Sequence, residues 1–199
     1  MFDIIIHNIT NLGDSSITSC ITIVAAIYLV MIKEKRAALA IVLAFVISAS
    51  IIAALKITFY SACPGSIALP ALRSPSGHSA ISLAVFGTIA AIISSALPTK
   101  WKPLPYALIL LLAVPIAISR VLIGAHTIPE ILAGLGLGLA VAYGVWCFLL
   151  KGQTVYHGRI STLALLTIAA MLILNGVHFP AEAIIDWISS HMRTHLHTC

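Results

Sequence analysis

The sequence predicts an all-α protein, a polytopic membrane helix bundle of about six transmembrane helices with short interfacial helices at both ends. Hydrophobic residues make up 60% of the chain and charged residues only 9%, and the mean hydropathy is +1.10. A soluble domain carries far more charge on its surface. Apolar stretches recur at roughly the 20-residue length that an α-helix needs to cross about 30 Å of hydrocarbon. We therefore expect one membrane domain over residues 1–199.

Six apolar stretches are predicted to span the bilayer, at residues 17–32, 37–59, 79–97, 104–122, 130–150 and 160–179. Residues 1–16 mix apolar and polar side chains and end at Gly13-Asp14-Ser15-Ser16, which predicts an interfacial helix before the first span. Residues 180–199 predict a second one. The acidic start lacks the basic region of a secretory signal, so we expect an uncleaved N-terminus.

Basic residues indicate the orientation of the bundle, because short cytoplasmic loops are rich in Lys and Arg. Three loops carry them, with Lys33, Lys35, Arg36, Lys100, Lys102, Lys151 and Arg159. We expect these loops in the cytoplasm, and both termini and segment 60–78 on the outer face. This pattern favours a bacterial inner membrane, with the outer face toward the periplasm, over a eukaryotic endomembrane. It also explains the net charge of +5, and nucleic acid is not an expected partner.

The cysteines show no metal-finger spacing, so a structural zinc is not indicated. Cys63 and Cys199 are both predicted on the outer face, where a disulfide between them is one alternative. The segment between the second and third spans holds several Pro and Gly residues. Irregular backbone near a membrane is tolerated where it lines a watery cavity, so this segment is expected to line a site.

The first chemical pattern is Pro75-Ser76-Gly77-His78, which directly precedes the third predicted span. Ser and Gly before a helix supply a capping hydroxyl and free backbone N–H groups, which suit the binding of an anion. His78 would lie beside that anion.

The second pattern comprises Ser119-Arg120, His126 and Glu130. Arg120 offers a planar fork for phosphate oxygens, and one helical turn separates His126 from Glu130, so the carboxylate can orient the imidazole. Lys56 is a third candidate, since ionisable groups within a span usually face a polar interior and have a function. In the fifth span, Gly134, Gly136 and Gly138 predict close helix packing.

These residues resemble the type 2 phosphatidic-acid phosphatase and vanadium haloperoxidase superfamily, whose motifs read Lys-x6-Arg-Pro, Pro-Ser-Gly-His and Ser-Arg-x5-His-x3-Asp. The second motif is complete, and the third matches except that Glu130 replaces Asp. In the first motif Lys56 and Pro64 match, but Cys63 stands where the family has Arg. Arg73 is our candidate for the missing cation. The resemblance covers residues 56–138, the motif-bearing core.

The resemblance implies that His126 is the nucleophile that forms a phosphohistidine, with Glu130 orienting it. His78 would protonate the leaving oxygen and then activate water. The expected phosphate-binding groups are Lys56, Arg120, Ser76, Gly77 and Arg73. No metal and no other cofactor is implied, and vanadate or phosphate is the expected inhibitory ligand.

The leading hypothesis is a membrane phosphatase acting at the outer face on a lipid phosphate or pyrophosphate. Undecaprenyl pyrophosphate, phosphatidic acid, phosphatidylglycerol phosphate and lipid A phosphates all fit, and the sequence does not choose among them. A lipid phosphotransferase is a close variant. The alternative from another functional class is a non-catalytic protein that binds or transports anionic lipid. The departures from the family motifs at Cys63 and Glu130 would support this alternative. The sequence leaves the oligomeric state open.

Overall fold

A computed structural model describes residues 2–61, 74–153, 155, 159–177 and 181–195 of the chain. These residues form eight α-helices and no strand, which confirms the all-α class. The helices are α1 (Phe2–Asn11), α2 (Ser15–Met31), α3 (Lys35–Ser61), α4 (Gly77–Ser95), α5 (Pro103–Leu122), α6 (Ile128–Val145), α7 (Ile160–Ile173) and α8 (Ala181–His195). A 3₁₀ turn at Thr99–Trp101 precedes α5, and a π-helical turn at Trp146–Leu150 extends α6.

Four helical segments of the described chain are long and apolar enough to cross a membrane, namely Lys35–Phe59, Gly77–Ser95, Thr99–Leu122 and Ile128–Leu150. Helices α1 and α2 meet at a bend of 42° and count as a fifth span if they cross together. These spans make the chain an integral membrane protein, as predicted.

The last predicted span, 160–179, is shorter in the structure. Helix α7 has 14 residues, which gives a length of about 21 Å at 1.5 Å per residue, less than the hydrocarbon thickness. Asn175-Gly176 follows its end, and Gly176 has a φ of +93°. This left-handed conformation stops a helix even where the apolar sequence continues.

Helix α4 lies at the centre of the bundle. Most of its side chains are buried, and it packs against α3, α5 and α6. The outer helices instead expose large apolar side chains, among them Leu111 and Leu132. In a bilayer such surfaces face lipid, so the bundle is apolar both inside and outside.

Two glycines allow α6 to approach α4 closely. A Cβ at Gly134 would lie 2.6 Å from the carbonyl oxygen of Ser76, and one at Gly138 would lie 2.5 Å from that of Ala80. Around Gly136 nothing lies within 4 Å. The predicted role in packing therefore applies to Gly134 and Gly138 and is wrong for Gly136, because this residue points away from the α4 interface.

The helices at the two ends of the chain pack against the bundle. Helix α1 contacts α5, and α8 contacts α3. Both contacts bring additional side chains to the end of the bundle that holds the predicted site. The loops with Lys33, Lys100 and Lys151 lie at the other ends of the same helices.

Candidate active site

Ser76 begins helix α4 and joins it to α6. Its hydroxyl caps the helix by accepting hydrogen bonds from Ser79 N at 3.4 Å and Ser79 Oγ at 3.1 Å. Its own backbone N–H donates to the carbonyl oxygen of Glu130 at 3.0 Å. Ser76 is fully buried, and His78 follows in the first helical turn, partly exposed. The Pro-Ser-Gly-His segment is thus a fixed helix start.

The turn between α5 and α6 places His126. The N–H groups of Ala125 and His126 both donate to the carbonyl oxygen of Arg120, at 3.0 and 3.2 Å. Gly124 has a φ of +69°, a conformation that glycine adopts without steric cost. This tight turn holds the backbone of His126 against the end of α5, next to Arg120.

Glu130 connects the two motifs through both oxygens of its carboxylate. Oε2 lies 3.0 Å from His126 Nδ1 and accepts the backbone N–H of Thr127 at 3.0 Å. Oε1 accepts the N–H of Ser74 at 3.2 Å. The residue is only 4% exposed. Because a carboxylate only accepts, Nδ1 carries the proton and Nε2 of His126 keeps its lone pair.

The surroundings of His126 favour a neutral imidazole. Burial lowers the pKa of His126, the hydrogen bond to Glu130 raises it, and the positive charge of Arg120 lowers it again, as does that of Lys56. The net pKa lies below its ordinary value of 6.5. At neutral pH the ring is therefore uncharged and able to act as a nucleophile.

Lys56 and His78 line a common cavity of about 430 Å³ together with Gly77. Lys56 belongs to a membrane-spanning helix, and its side chain is buried inside the bundle, with only 2% of the residue exposed. One side of the cavity is apolar and is formed by Phe45, Ala49, Ile52, Ala53, Ile81 and Ile185. The polar and apolar parts together suit an amphiphilic ligand whose anionic group lies at Lys56.

Arg120 is held by the N-terminal helix, a contact that the sequence did not predict. Its Nη1 donates to the hydroxyl of Thr10 in α1 at 3.3 Å. Helix α1 therefore packs against α5 and also contacts a residue of the third motif.

Asp14 is a second residue that we did not predict at the site. Its Oδ2 lies 3.6 Å from Nε2 of His78, and it lines the same cavity. The Asp-Ser-Ser sequence before an apolar stretch is an N-cap signal. That signal predicts the start of α2 but says nothing about proximity to His78.

The structure thus brings together, at one end of the bundle, seven of the eight predicted site residues: Lys56, Ser76, Gly77, His78, Arg120, His126 and Glu130. The eighth, Arg73, lies outside the described residues. The same holds for Cys63 and Cys199, so their pairing stays a prediction.

Comparison with known proteins agrees with this arrangement. Phosphatidylglycerophosphatase B of Bacillus subtilis (strain 168) is 38% identical over 80 residues, which are 39% of this chain and 37% of that protein. The chain thus matches little more than a third of the length of this relative. No solved structure matches the chain. The model of the PAP2 superfamily matches residues 37–154, which include all three motifs. With more than half of its length matched, the chain belongs to the PAP2 superfamily.

Proposed function

We propose that this chain is a membrane phosphatase that hydrolyses a lipid phosphate or pyrophosphate through a phosphohistidine on His126. The observation that carries the proposal is the 3.0 Å contact between Nδ1 of His126 and the buried carboxylate of Glu130. This contact orients the ring and leaves Nε2 as the nucleophilic atom. The positive charges of Lys56 and Arg120, which both act on His126, would hold the phosphate.

In the first step, the Nε2 lone pair of His126 attacks phosphorus in line with the leaving oxygen. The N–P bond forms, and the bond between phosphorus and the leaving oxygen breaks. His78 gives its proton to that oxygen, which departs as a lipid alcohol or, from a pyrophosphate, as a lipid monophosphate. The negative charge of Glu130 stabilises the positive imidazole that forms.

In the second step, His78 removes a proton from water, and the hydroxide attacks phosphorus. The N–P bond breaks, its electron pair returns to Nε2, and inorganic phosphate leaves. Lys56, Arg120, Ser76 and the backbone N–H of Gly77 would bind the phosphate oxygens in both steps. Arg73 would add a further positive charge. Because Lys and Arg supply the positive charge, we expect activity without a metal ion.

The cavity supports a lipid substrate. Its polar part includes Lys56 and His78, and its apolar part is formed by α3, α4 and α8. A phosphate at Lys56 would place a hydrocarbon chain against residues such as Phe45 and Ile185. The site would face the periplasm, because the basic loops lie at the opposite ends of the helices.

Among lipid phosphates, phosphatidylglycerol phosphate is our first candidate because the Bacillus relative is called a phosphatidylglycerophosphatase. Phosphatidic acid, undecaprenyl pyrophosphate and lipid A phosphates complete the panel.

The test is phosphate release by the purified, detergent-solubilised protein from each of these lipids, with a chelator present. His126→Ala is the key variant, and His191→Ala, on the exposed face of α8, is the matched control. We expect release that survives chelation, is inhibited by vanadate, persists in the control and is lost in His126→Ala. Quenching with alkaline detergent after reaction with ³²P-labelled substrate should trap a phosphoprotein that is stable in alkali and labile in acid, in the wild type and in His191→Ala but not in His126→Ala.

The second candidate is a non-catalytic protein that binds anionic lipid, and the presence of Cys63 and Glu130 in place of the family's Arg and Asp favours it. Folded protein that binds these lipids but releases no phosphate would support this candidate. If phosphate instead appears on a second lipid rather than in solution, the protein is a phosphotransferase.

A further inference from the structure

Asp14 forms a second carboxylate and histidine pair at the site. We propose that Asp14 is a positioning residue that holds His78 in the protonated form needed to release the lipid alcohol. This inference rests on the proposed phosphatase function. None of the three family motifs contains Asp14, which lies 64 residues before His78 in the sequence.

The carboxylate of Asp14 is held in a defined orientation. Oδ1 accepts hydrogen bonds from the backbone N–H of Ser16 at 2.8 Å and from the Ser16 hydroxyl at 2.7 Å. These bonds make Asp14 the N-cap of α2. They leave Oδ2 facing His78, with 3.6 Å between Oδ2 and Nε2. Such a distance fits an ion pair that can tighten when substrate binds.

The backbone before Asp14 is also held against His78. A Cβ at Gly13 would lie 3.5 Å from both the Cβ and the carbonyl oxygen of His78, and 2.5 Å from Cγ2 of Ile116. A larger residue at position 13 would displace the Ile116 side chain, whereas the distances to His78 are those of ordinary van der Waals contact. The junction of α1 and α2 thus packs between α4 and α5. The packing of Gly13 against His78 and Ile116 places Asp14, the next residue, beside His78.

The charge on Asp14 persists at physiological pH. Burial raises the pKa of this carboxyl, but the interaction with His78 and the hydrogen bonds from Ser16 lower it more, and the net pKa lies well below its usual range. Among the described residues that line the cavity with His78, the other ionisable group is Lys56, which has the opposite effect on the ring. Within the described lining of this cavity, Asp14 is therefore the carboxylate that favours the imidazolium.

The chemistry follows from this charge. Departure of an alcohol from phosphorus requires a proton, because an alkoxide is a poor leaving group. With Nε2 held by Asp14, Nδ1 of His78 gives its proton to the leaving oxygen. In the second step, the same carboxylate strengthens His78 as the base that deprotonates water. The two histidines would thus have separate carboxylates, Glu130 for the nucleophile and Asp14 for the acid.

A structural role as an N-cap is the competing explanation, and Asp14→Asn separates the two. Asparagine caps helices about as well as aspartate, so this variant keeps the start of α2 but loses the charge. Asp14→Ala loses both, and Asp14→Glu keeps the charge. The variants are compared by their pH profiles of kcat on an alkyl lipid phosphate and on an aryl phosphate, whose leaving group needs little protonation.

We expect Asp14→Asn to lower kcat on the alkyl substrate by about 10- to 100-fold, less than the roughly 100- to 10,000-fold contribution of a general acid itself, because Asp14 acts through His78. The alkaline limb of the kcat profile of Asp14→Asn should move to lower pH. Its kcat on the aryl phosphate should fall less than threefold, and Asp14→Glu should recover part of the rate on the alkyl substrate. An equal loss on both substrates with an unmoved limb, or no loss on either, would overturn the inference while the proposed function stands.

A measurement of the pair itself makes the two kinds of failure distinguishable. In the ¹⁵N-histidine NMR spectrum of the detergent-solubilised protein, with His78 assigned from His78→Gln, the ring should titrate at lower pH in Asp14→Asn than in the wild type. If His78 titrates at the same pH in both proteins, the pairing of Asp14 with His78 is refuted. If wild-type protein hydrolyses no lipid, the phosphatase function itself fails, whatever the titration shows.

Discussion

Ser76 donates its backbone N–H to the carbonyl oxygen of Glu130 over 3.0 Å, and this hydrogen bond joins the helix that carries His78 to the helix that orients His126. Ser74 adds a parallel bond to the Glu130 side chain. The relative position of the two histidines therefore depends on the contact between α4 and α6. Disturbing this contact should affect activity even when no catalytic side chain is changed.

Gly134→Ala should damage the enzyme without changing any proposed catalytic group. Its new Cβ would lie 2.6 Å from the carbonyl oxygen of Ser76. This collision is hard to relieve, because a backbone atom cannot move aside as a side chain can. We expect a loss of roughly 1–3 kcal/mol in stability, typical of overpacking, and at least a tenfold loss of kcat. Thermal unfolding in detergent and phosphate release measure the two effects.

Gly136→Ala is the matched control, because nothing lies within 4 Å of its Cβ position. It should be neutral, or more stable by up to about 1 kcal/mol from improved helix propensity. Equal behaviour of the two alanine variants would mean that the close approach of α4 and α6 is unimportant.

Glu130→Gln should reduce kcat by at least about 100-fold, within the range for loss of acid–base assistance. The amide cannot stabilise the imidazolium, and its NH₂ group can favour the wrong tautomer. Glu130→Asp keeps the charge and should recover part of the rate. Steady-state kinetics on a lipid phosphate test this order, and an active Glu130→Gln enzyme would remove Glu130 from the mechanism.

The acid limb of kcat/KM should lie below pH 6.5 and follow His126, whose pKa is lowered mainly by burial. Activity should rise with pH through this pKa, because the neutral ring is the nucleophile. Since Glu130 raises the same pKa, Glu130→Gln should shift the limb to still lower pH.

Stability should change with pH in the same direction. The folded protein resists protonation of His126 more than the unfolded chain does, so stability from this group is complete above pH 6.5 and declines as pH falls below it. His126→Ala should flatten this dependence in unfolding experiments. An acid limb above pH 6.5 would contradict the assignment of the nucleophile.

Ala49→Trp should discriminate between substrates by chain length. Ala49 lines the apolar part of the cavity, and a bulky ring there should lower kcat/KM for a long-chain lipid phosphate by about tenfold, comparable to the loss of two buried methylene contacts. A short-chain phosphate should be affected less than twofold. Ala54→Trp, on the exposed face of the same helix, is the control. An equal loss on both substrates would argue against a tail-binding cavity.

Much of this architecture could be predicted, because long apolar segments and short motifs are local signals. The start of α4 follows from Ser76 as its N-cap, and the start of α6 follows from Pro129, since proline is favoured in the first turn of a helix. The spacing of four residues between His126 and Glu130 indicates their contact. The pairs Asp14–His78 and Thr10–Arg120 could not be predicted, since they depend on how α1 folds back onto the bundle. Likewise, apolar composition could not reveal that α7 ends at Ile173.

The central position of α4 has a consequence for how the protein would respond to its membrane. His78 lies on the helix that is shielded from the lipid annulus by α3, α5 and α6, so changes in bilayer thickness reach this helix only through its neighbours. Tilting of the outer helices can accommodate hydrophobic mismatch at small cost. Bilayers of different thickness should therefore alter how readily a lipid enters more than they alter the chemical step.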